Sequence, residues 1–158
     1  MLFRSADEMI LRDTSIYRVL NIAANTFNDA STSYYHQSIG GYHGAKLKRY
    51  KEMIDYSLTP EIAAIKNAIQ NKDSNLMQVA YSQPTINMMN TKYLIINPDG
   101  APIVNEGALG NAWFVNEVKI VPNADSEIAA LRHFNPKTTA IVDERFKDRS
   151  EEHTSELQ

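Results

Sequence analysis

The sequence predicts an α/β (mixed α+β) domain: one mixed β-sheet flanked by helices, in the order β-α-α-(α)-β-β-β-α-β. Three observations carry this reading. Runs of β-branched and aromatic residues, of strand length, recur at 16–21, 92–96 and 138–142. Between the first two runs the apolar residues switch to spacings of three and four, the period of a helix with one buried face. The strands of the second half are separated by strong turn chemistry, foremost Asn97-Pro98-Asp99-Gly100, where Pro sets φ and Gly accepts a positive one.

Taken in order, residues 6–14 read as a short helix or turn leading into the buried strand Ile16-Tyr17-Arg18-Val19-Leu20-Asn21. Residues 25–33 are rich in Asn, Ser, Thr and Asp, which favour turns over ladders. Gly40, Gly41 and Gly44 bracket Tyr42 and His43 in a second loop. From Ala45 the pattern is helical: Leu47, Tyr50 and Ile54 share a face with Met53 beside them, and Lys48, Arg49, Lys51, Glu52 and Asp55 take the other side. Thr59-Pro60-Glu61 has the form of a helix start, with Thr at the N-cap, Pro at N1 and an acid in the first turn. The stripe Ile62, Ile65, Ile69 follows and ends near Asn71, where a polar connector begins. Residues 84–90 read as a short helix bearing Ile86 and Met89, and 92–96 as a strand. After the 97–100 turn, Pro102-Ile103-Val104 fits a hairpin partner at a sheet edge, because Pro cannot donate to a ladder. Residues 105–111 form a loop with Gly107 and Gly110; 112–115 and 118–121 are two strands or one bent strand. Asp125 caps a helix carrying Ile128, Leu131 and Phe134, Pro136 stops it, and 138–142 is the last strand. No internal repeat or low-complexity tract occurs.

Composition bounds the function. The chain has 158 residues, 43% apolar and 22% charged, which is globular rather than disordered. Its 16 Lys and Arg against 19 Asp and Glu give a net charge of −3, so there is no overall field for gripping nucleic acid. Cys is absent, which excludes a disulfide scaffold, a thiolate metal site and a Cys nucleophile. The longest apolar runs are about four residues, far short of the ~20 a membrane span needs. The last ten residues, 149–158, are the most polar and least periodic. They resemble the translated read-through of a short-read sequencing adapter and are expected to be an artefactual disordered tail. Without them, 148 residues carry 15 basic and 16 acidic side chains and a net charge of −1. The domain is therefore read as residues 1–148, a fragment of a longer protein.

Chemistry concentrates in Asn25-Thr26-Phe27-Asn28-Asp29-Ala30-Ser31-Thr32-Ser33-Tyr34-Tyr35-His36 and Ile39-Gly40-Gly41-Tyr42-His43-Gly44. Aromatic faces suit the C–H face of a pyranose, and amides and carboxylates suit its hydroxyls. The same composition also suits an ordered loop held by Asn and Asp turns. His36, His43 and Asp29 do not have a usual metal-ligand spacing, and no metal or other cofactor is expected. The stretch 40–46 departs from a phosphate loop, since Ala45 separates Gly44 from Lys46 and no Ser or Thr follows the Lys. Lys46, Lys48, Arg49 and Lys51 form a basic cluster, with Lys48–Glu52 and Lys51–Asp55 at helical i,i+4 spacing. No Ser-His-Asp set, carboxylate pair or dinucleotide fingerprint stands out.

Several longer phrases carry a resemblance: Tyr17-Arg18-Val19-Leu20-Asn21, the 25–36 stretch, Ser38-Ile39-Gly40-Gly41-Tyr42-His43-Gly44-Ala45-Lys46-Leu47, Met89-Asn90-Thr91-Lys92-Tyr93 and Ala108-Leu109-Gly110-Asn111-Ala112-Trp113-Phe114-Val115. Together they resemble the YfhO family in its Bacteroidota form, from about Ser5 to Phe146. The resemblance implies an extracytoplasmic region, on the periplasmic face of the inner membrane, of a large multi-spanning protein similar to glycosyltransferases that use lipid-linked sugars. Its implied partners are its own transmembrane bundle and a glycan or lipid-linked sugar. The family's membrane helices and early acidic loop are not among these residues, so no catalytic residue carries over. The expected glycan-facing set is Asn25, Asp29, Tyr35, His36, Tyr42 and His43, with Lys46 and Arg49 toward a phosphate or headgroup. The alternative is a non-catalytic structural or interaction module that docks on the transmembrane bundle or a partner.

Overall fold

A computed structural model of the chain describes residues 3–148; the tail assigned to 149–158 lies outside the described residues. The class is the predicted mixed α+β. The elements are α1 (Ser5–Ile10), β1 (Arg18–Asn21), α2 (Lys48–Met53), α3 (Thr59–Gln70), α4 (Leu76–Tyr81), α5 (Pro84–Met88), β2 (Thr91–Ile95), β3 (Ile103–Val104), β4 (Glu117–Val121), α6 (Ala124–Ala130) and β5 (Thr139–Asp143). The strands divide between two sheets instead of joining one. β1 runs parallel to β2 and β2 antiparallel to β3; β4 runs parallel to β5 in a separate pair. Residues 112–115, read as strand, form none: Trp113 instead sends its indole Nε1–H across to the carbonyl of Pro136 at 2.6 Å, and Phe114 is 98% exposed.

β1 is buried on both faces, and this explains its run of apolar residues. Leu20 and Leu94 face a core with Ile54, Leu58, Ile62, Ile65 and Ile86 from the helical layer. Val19 and Ile95 face the opposite way, onto Ala6 and Ile10 of α1 and the ring of Tyr17. The second edge of β1 is also covered, because Val19 N–H donates to the Gln37 carbonyl at 2.8 Å and Ile39 N–H to the Val19 carbonyl at 3.2 Å.

Thr59-Pro60-Glu61 is not a helix start. α2 continues into α3 through a π-turn, Ile54–Leu58, and Leu58 already has helical φ and ψ. An α-helix would satisfy the Tyr56 carbonyl with the N–H of residue 60, which Pro lacks. Wider π-turns accommodate such a gap. Arg132 donates its Nε–H to that carbonyl at 3.3 Å and stacks its guanidinium over the Tyr56 ring. α6 is likewise capped two residues earlier than expected, by Asn123, whose Oδ1 accepts from Ser126 N–H at 2.9 Å.

Two polar ties fix the layers. Glu61, buried on α3, accepts from Thr85 N–H and Ile86 N–H, both at 2.9 Å, and so closes the first turn of α5. Burial pushes its carboxyl up, against the opposing pull of those hydrogen bonds. The second tie joins the end of α1 to β2. Asp13 receives Lys92 Nζ and, at 2.8 Å, Tyr93 OH. Lys92 first, then Ser15, whose N–H donates to Asp13 Oδ1 at 2.8 Å, and then Tyr93 hold the Asp13 carboxyl well below the usual carboxylate range. Burial first, and then the bond to Asp13, push the Tyr93 phenol up to about 12. Gly107 is required by close approach: a Cβ there would lie 2.4 Å from the Tyr81 carbonyl oxygen and against Asn87.

Glu61→Ala leaves two buried N–H groups without acceptors and lowers unfolding free energy by about 1–3 kcal/mol per group. Glu61→Gln, which retains one acceptor, loses less; urea midpoints read both. The Asp13–Tyr93 tie also has a pH signature. Asp13, lowered, contributes stability above the ordinary carboxylate pKa of about 3.9 and loses it as pH falls through its folded value. Tyr93, raised, contributes below the ordinary phenol value of about 10 and loses it as pH rises through about 12. The tyrosinate absorbance difference between the wild type and Tyr93→Phe is therefore a step near 12, which Asp13→Asn moves down toward the ordinary value.

Candidate functional site

Strands β1 and β2 end side by side at Asn21 and Ile95 and then part, β1 into the loop after residue 21 and β2 into the 97–100 turn. Crevices outside the carboxyl ends of parallel strands are where ligands bind in open α/β sheets. Here the crevice is a cleft of about 270 Å³, lined chiefly by Arg4, Asp7, Asn21, Thr32, Tyr35, Ile95 and Pro98.

Each polar group is held by its neighbours. Ala6 N–H donates to the Pro98 carbonyl at 3.1 Å, pinning α1 to the turn. Arg4 N–H donates to Asp7 Oδ2 at 3.1 Å, and the Arg4 guanidinium bonds both oxygens of Asp99 at 2.8 and 3.1 Å. Asp7 Oδ1 lies 2.9 Å from His36 Nε2, which donates to it. Asn21 Oδ1 accepts from Ala23 N–H at 3.0 Å and Ala24 N–H at 3.2 Å, while its Nδ2 donates to Thr32 Oγ1 at 3.1 Å. The Tyr35 ring is set by an edge contact with Phe3, centroids 5.3 Å apart. The result is a fixed polar floor beside one aromatic wall. Its groups suit hydroxyl recognition. His36 Nε2 bonds Asp7 and Thr32 Oγ1 accepts from Asn21; among the described residues no hydrogen bond joins these two side chains as a nucleophile–base pair would be joined.

The residues expected from sequence do not form one set. Tyr35 lines the cleft. His36, expected to face a glycan, has a fully buried side chain that supports Asp7 from behind. Its Nδ1 is buried without a hydrogen-bond partner among the described residues. Asp29 is exposed and accepts from Ser31 N–H at 2.6 Å; the Ser31 hydroxyl and N–H hold its carboxyl below the usual range. Asn25 is exposed and its carbonyl accepts from Asn28 N–H at 3.1 Å. Tyr42 is 69% exposed, and His43, also exposed, accepts from Ala45 N–H through Nδ1 at 3.2 Å. Lys46 Nζ lies 3.3 Å from the carbonyls of both Phe27 and His43 and ties the two loops together. Gly40 lets those loops touch, because a Cβ there would sit 1.9 Å from the Thr26 carbonyl oxygen. Arg49 points elsewhere, into an ion pair with Glu127 of α6.

Sequence reasoning missed Arg4, Asp7 and Asn21, and passed over Thr32 within the 25–36 stretch. Asn21 carried the one available signal, a polar residue closing a buried strand; the others come together only when β1 and β2 pair in parallel. Among the described residues no three His, Cys, Asp or Glu side chains gather where they could hold a metal ion, and no helix is long and apolar enough to cross a membrane. No family model, curated protein or solved structure matches the chain.

His36→Ala removes the donor to Asp7 and leaves a void behind it, at a cost of about 1–3 kcal/mol from the unmatched polar group alone. Thermal unfolding followed by circular dichroism reads this as a lowered Tm, whereas Tyr42→Ala, at an exposed position, leaves the Tm within error.

Proposed function

We propose that this chain binds a sugar in the cleft at the carboxyl ends of β1 and β2. The observation that carries the reading is the convergence of Arg4, Asp7, Asn21 and Thr32 beside the ring of Tyr35. A pyranose lays its C–H face on that ring, donates hydroxyls to the Asp7 carboxylate and accepts from the second Nδ2–H of Asn21, whose Oδ1 is already taken by two backbone N–H groups. The Arg4 guanidinium has five N–H donors, of which one Nη serves Asp99, so further donors remain for a ligand oxygen. In the setting suggested by the YfhO-like phrases, the domain stands on the extracytoplasmic face of a membrane glycosyltransferase and holds the acceptor glycan or the sugar of a lipid-linked donor. It supplies binding, and catalysis belongs to the rest of the protein. A second reading, an interaction module that docks on a transmembrane bundle or partner, is favoured by Tyr34, Tyr42 and Leu47, which are all strongly exposed.

Titration of the ¹⁵N-labelled chain with methyl glycosides separates the two. The sugar-binding reading expects amide shifts confined to Ala23, Ala24, Thr32, Tyr35 and their neighbours. Tyr35→Ala then weakens binding at least tenfold, about 1.4 kcal/mol, while Tyr42→Ala leaves it unchanged. Shifts confined to residues 34, 42 and 47, or none with any glycoside, would contradict the cleft assignment.

A further inference from the structure

A second cleft, of about 460 Å³, lies between α2, α6 and β5, and its walls include Met53, Met88, Trp113, Leu131, Phe134 and Ile141. That volume is within the usual range for a small-molecule site. Its polar wall side chains have partners within the protein, Thr139 Oγ1 with Glu117 Oε2 at 3.4 Å among them. Trp113 Nε1–H donates to the Pro136 carbonyl at 2.6 Å, the Tyr50 hydroxyl donates to the Ile39 carbonyl, and Arg49 pairs with Glu127 at the rim. The charged residues of the lining are thus one arginine against one carboxylate, with no excess charge for an ionic ligand to neutralise. A ligand bringing its own hydrogen-bonding or charged groups inside would lose its water and gain no partner. The two thioethers and the rings of Trp113 and Phe134 are polarisable surfaces that favour flat aromatic bodies.

We infer that this cleft is a binding site for an uncharged, apolar ligand with a ring system, distinct from the polar cleft and closed to anions of the same shape. The site contains Trp113, the chain's only Trp, so its fluorescence reports occupancy directly. The probes are N-phenyl-1-naphthylamine and 8-anilinonaphthalene-1-sulfonate, which share a skeleton and differ by one sulfonate, each titrated into the full 158-residue chain. The expected result is saturable one-to-one binding of the naphthylamine, with Trp113 emission falling as probe emission rises and the sulfonate at least tenfold weaker. Ala140→Leu, which adds bulk to one wall, weakens the naphthylamine at least tenfold with an unchanged far-ultraviolet spectrum. Met88→Phe adds bulk at another lining position and serves if the first variant does not fold. The inference is overturned if Trp113 emission does not respond, if the folded variants bind as the wild type does, or if the sulfonate binds as tightly as the uncharged probe.

Discussion

The parallel pairing of β1 with β2 is the constraint on which the rest of the structure depends. Leu20 lies opposite Leu94, so the chain between them must cross over the sheet and return in the same direction. That crossover is the helical layer α2 to α5, and its apolar stripe of Ile54, Leu58, Ile62 and Ile65 buries one face of the pair. α1 buries the other through Ala6 and Ile10. A strand pair covered on both faces has no solvated side, which is why the consecutive residues Val19 and Leu20 are both apolar and fully buried.

The same pairing creates the polar cleft. Two parallel strands that end together send their chains apart, and the space between is floored by whatever ends the strands and whatever helix crosses them. Here Asn21 ends β1, and Asp7 comes from the helix that packs beneath Ile95. Buried His36 holds Asp7 in place, a supporting role that its neighbourhood of tyrosines and amides in the sequence conceals. Around β4 and β5 the arrangement is looser. This pair is only two strands wide, its β4 is mostly exposed, and α6 covers it from one side, leaving the apolar cleft where α6 and β5 meet α2.

Much of this was legible locally. Strands at 18–21, 91–95 and 139–143 follow from β-branched runs, and the helical stripe through Ile62, Ile65 and Ile69 marks α3. What the sequence does not display is non-local. Thr59-Pro60-Glu61 matches a helix start in every local respect, and only the helix running into it from Lys48 shows that Pro60 sits beyond a π-turn. Residues 112–115 have the composition of a strand but no neighbour to pair with. Of the expected glycan-facing residues, Asn25 and Asp29 carry out turn chemistry, and Tyr35 reaches the cleft because the 310 turn at Ser31–Tyr34 carries it there. Arg4, Asp7 and Asn21 are separated in sequence from Tyr35 and become its neighbours through the fold alone.

Native-state hydrogen exchange tests the central claim most directly, because it ranks elements by the free energy needed to open them. If the β1–β2 pair organises the molecule, its amides, Ile22 N–H on the Ile95 carbonyl among them, exchange only through global unfolding. The amides of β4 and β5 then exchange through a smaller local opening. Protection of β4 and β5 equal to or above that of β1 and β2 would contradict the account.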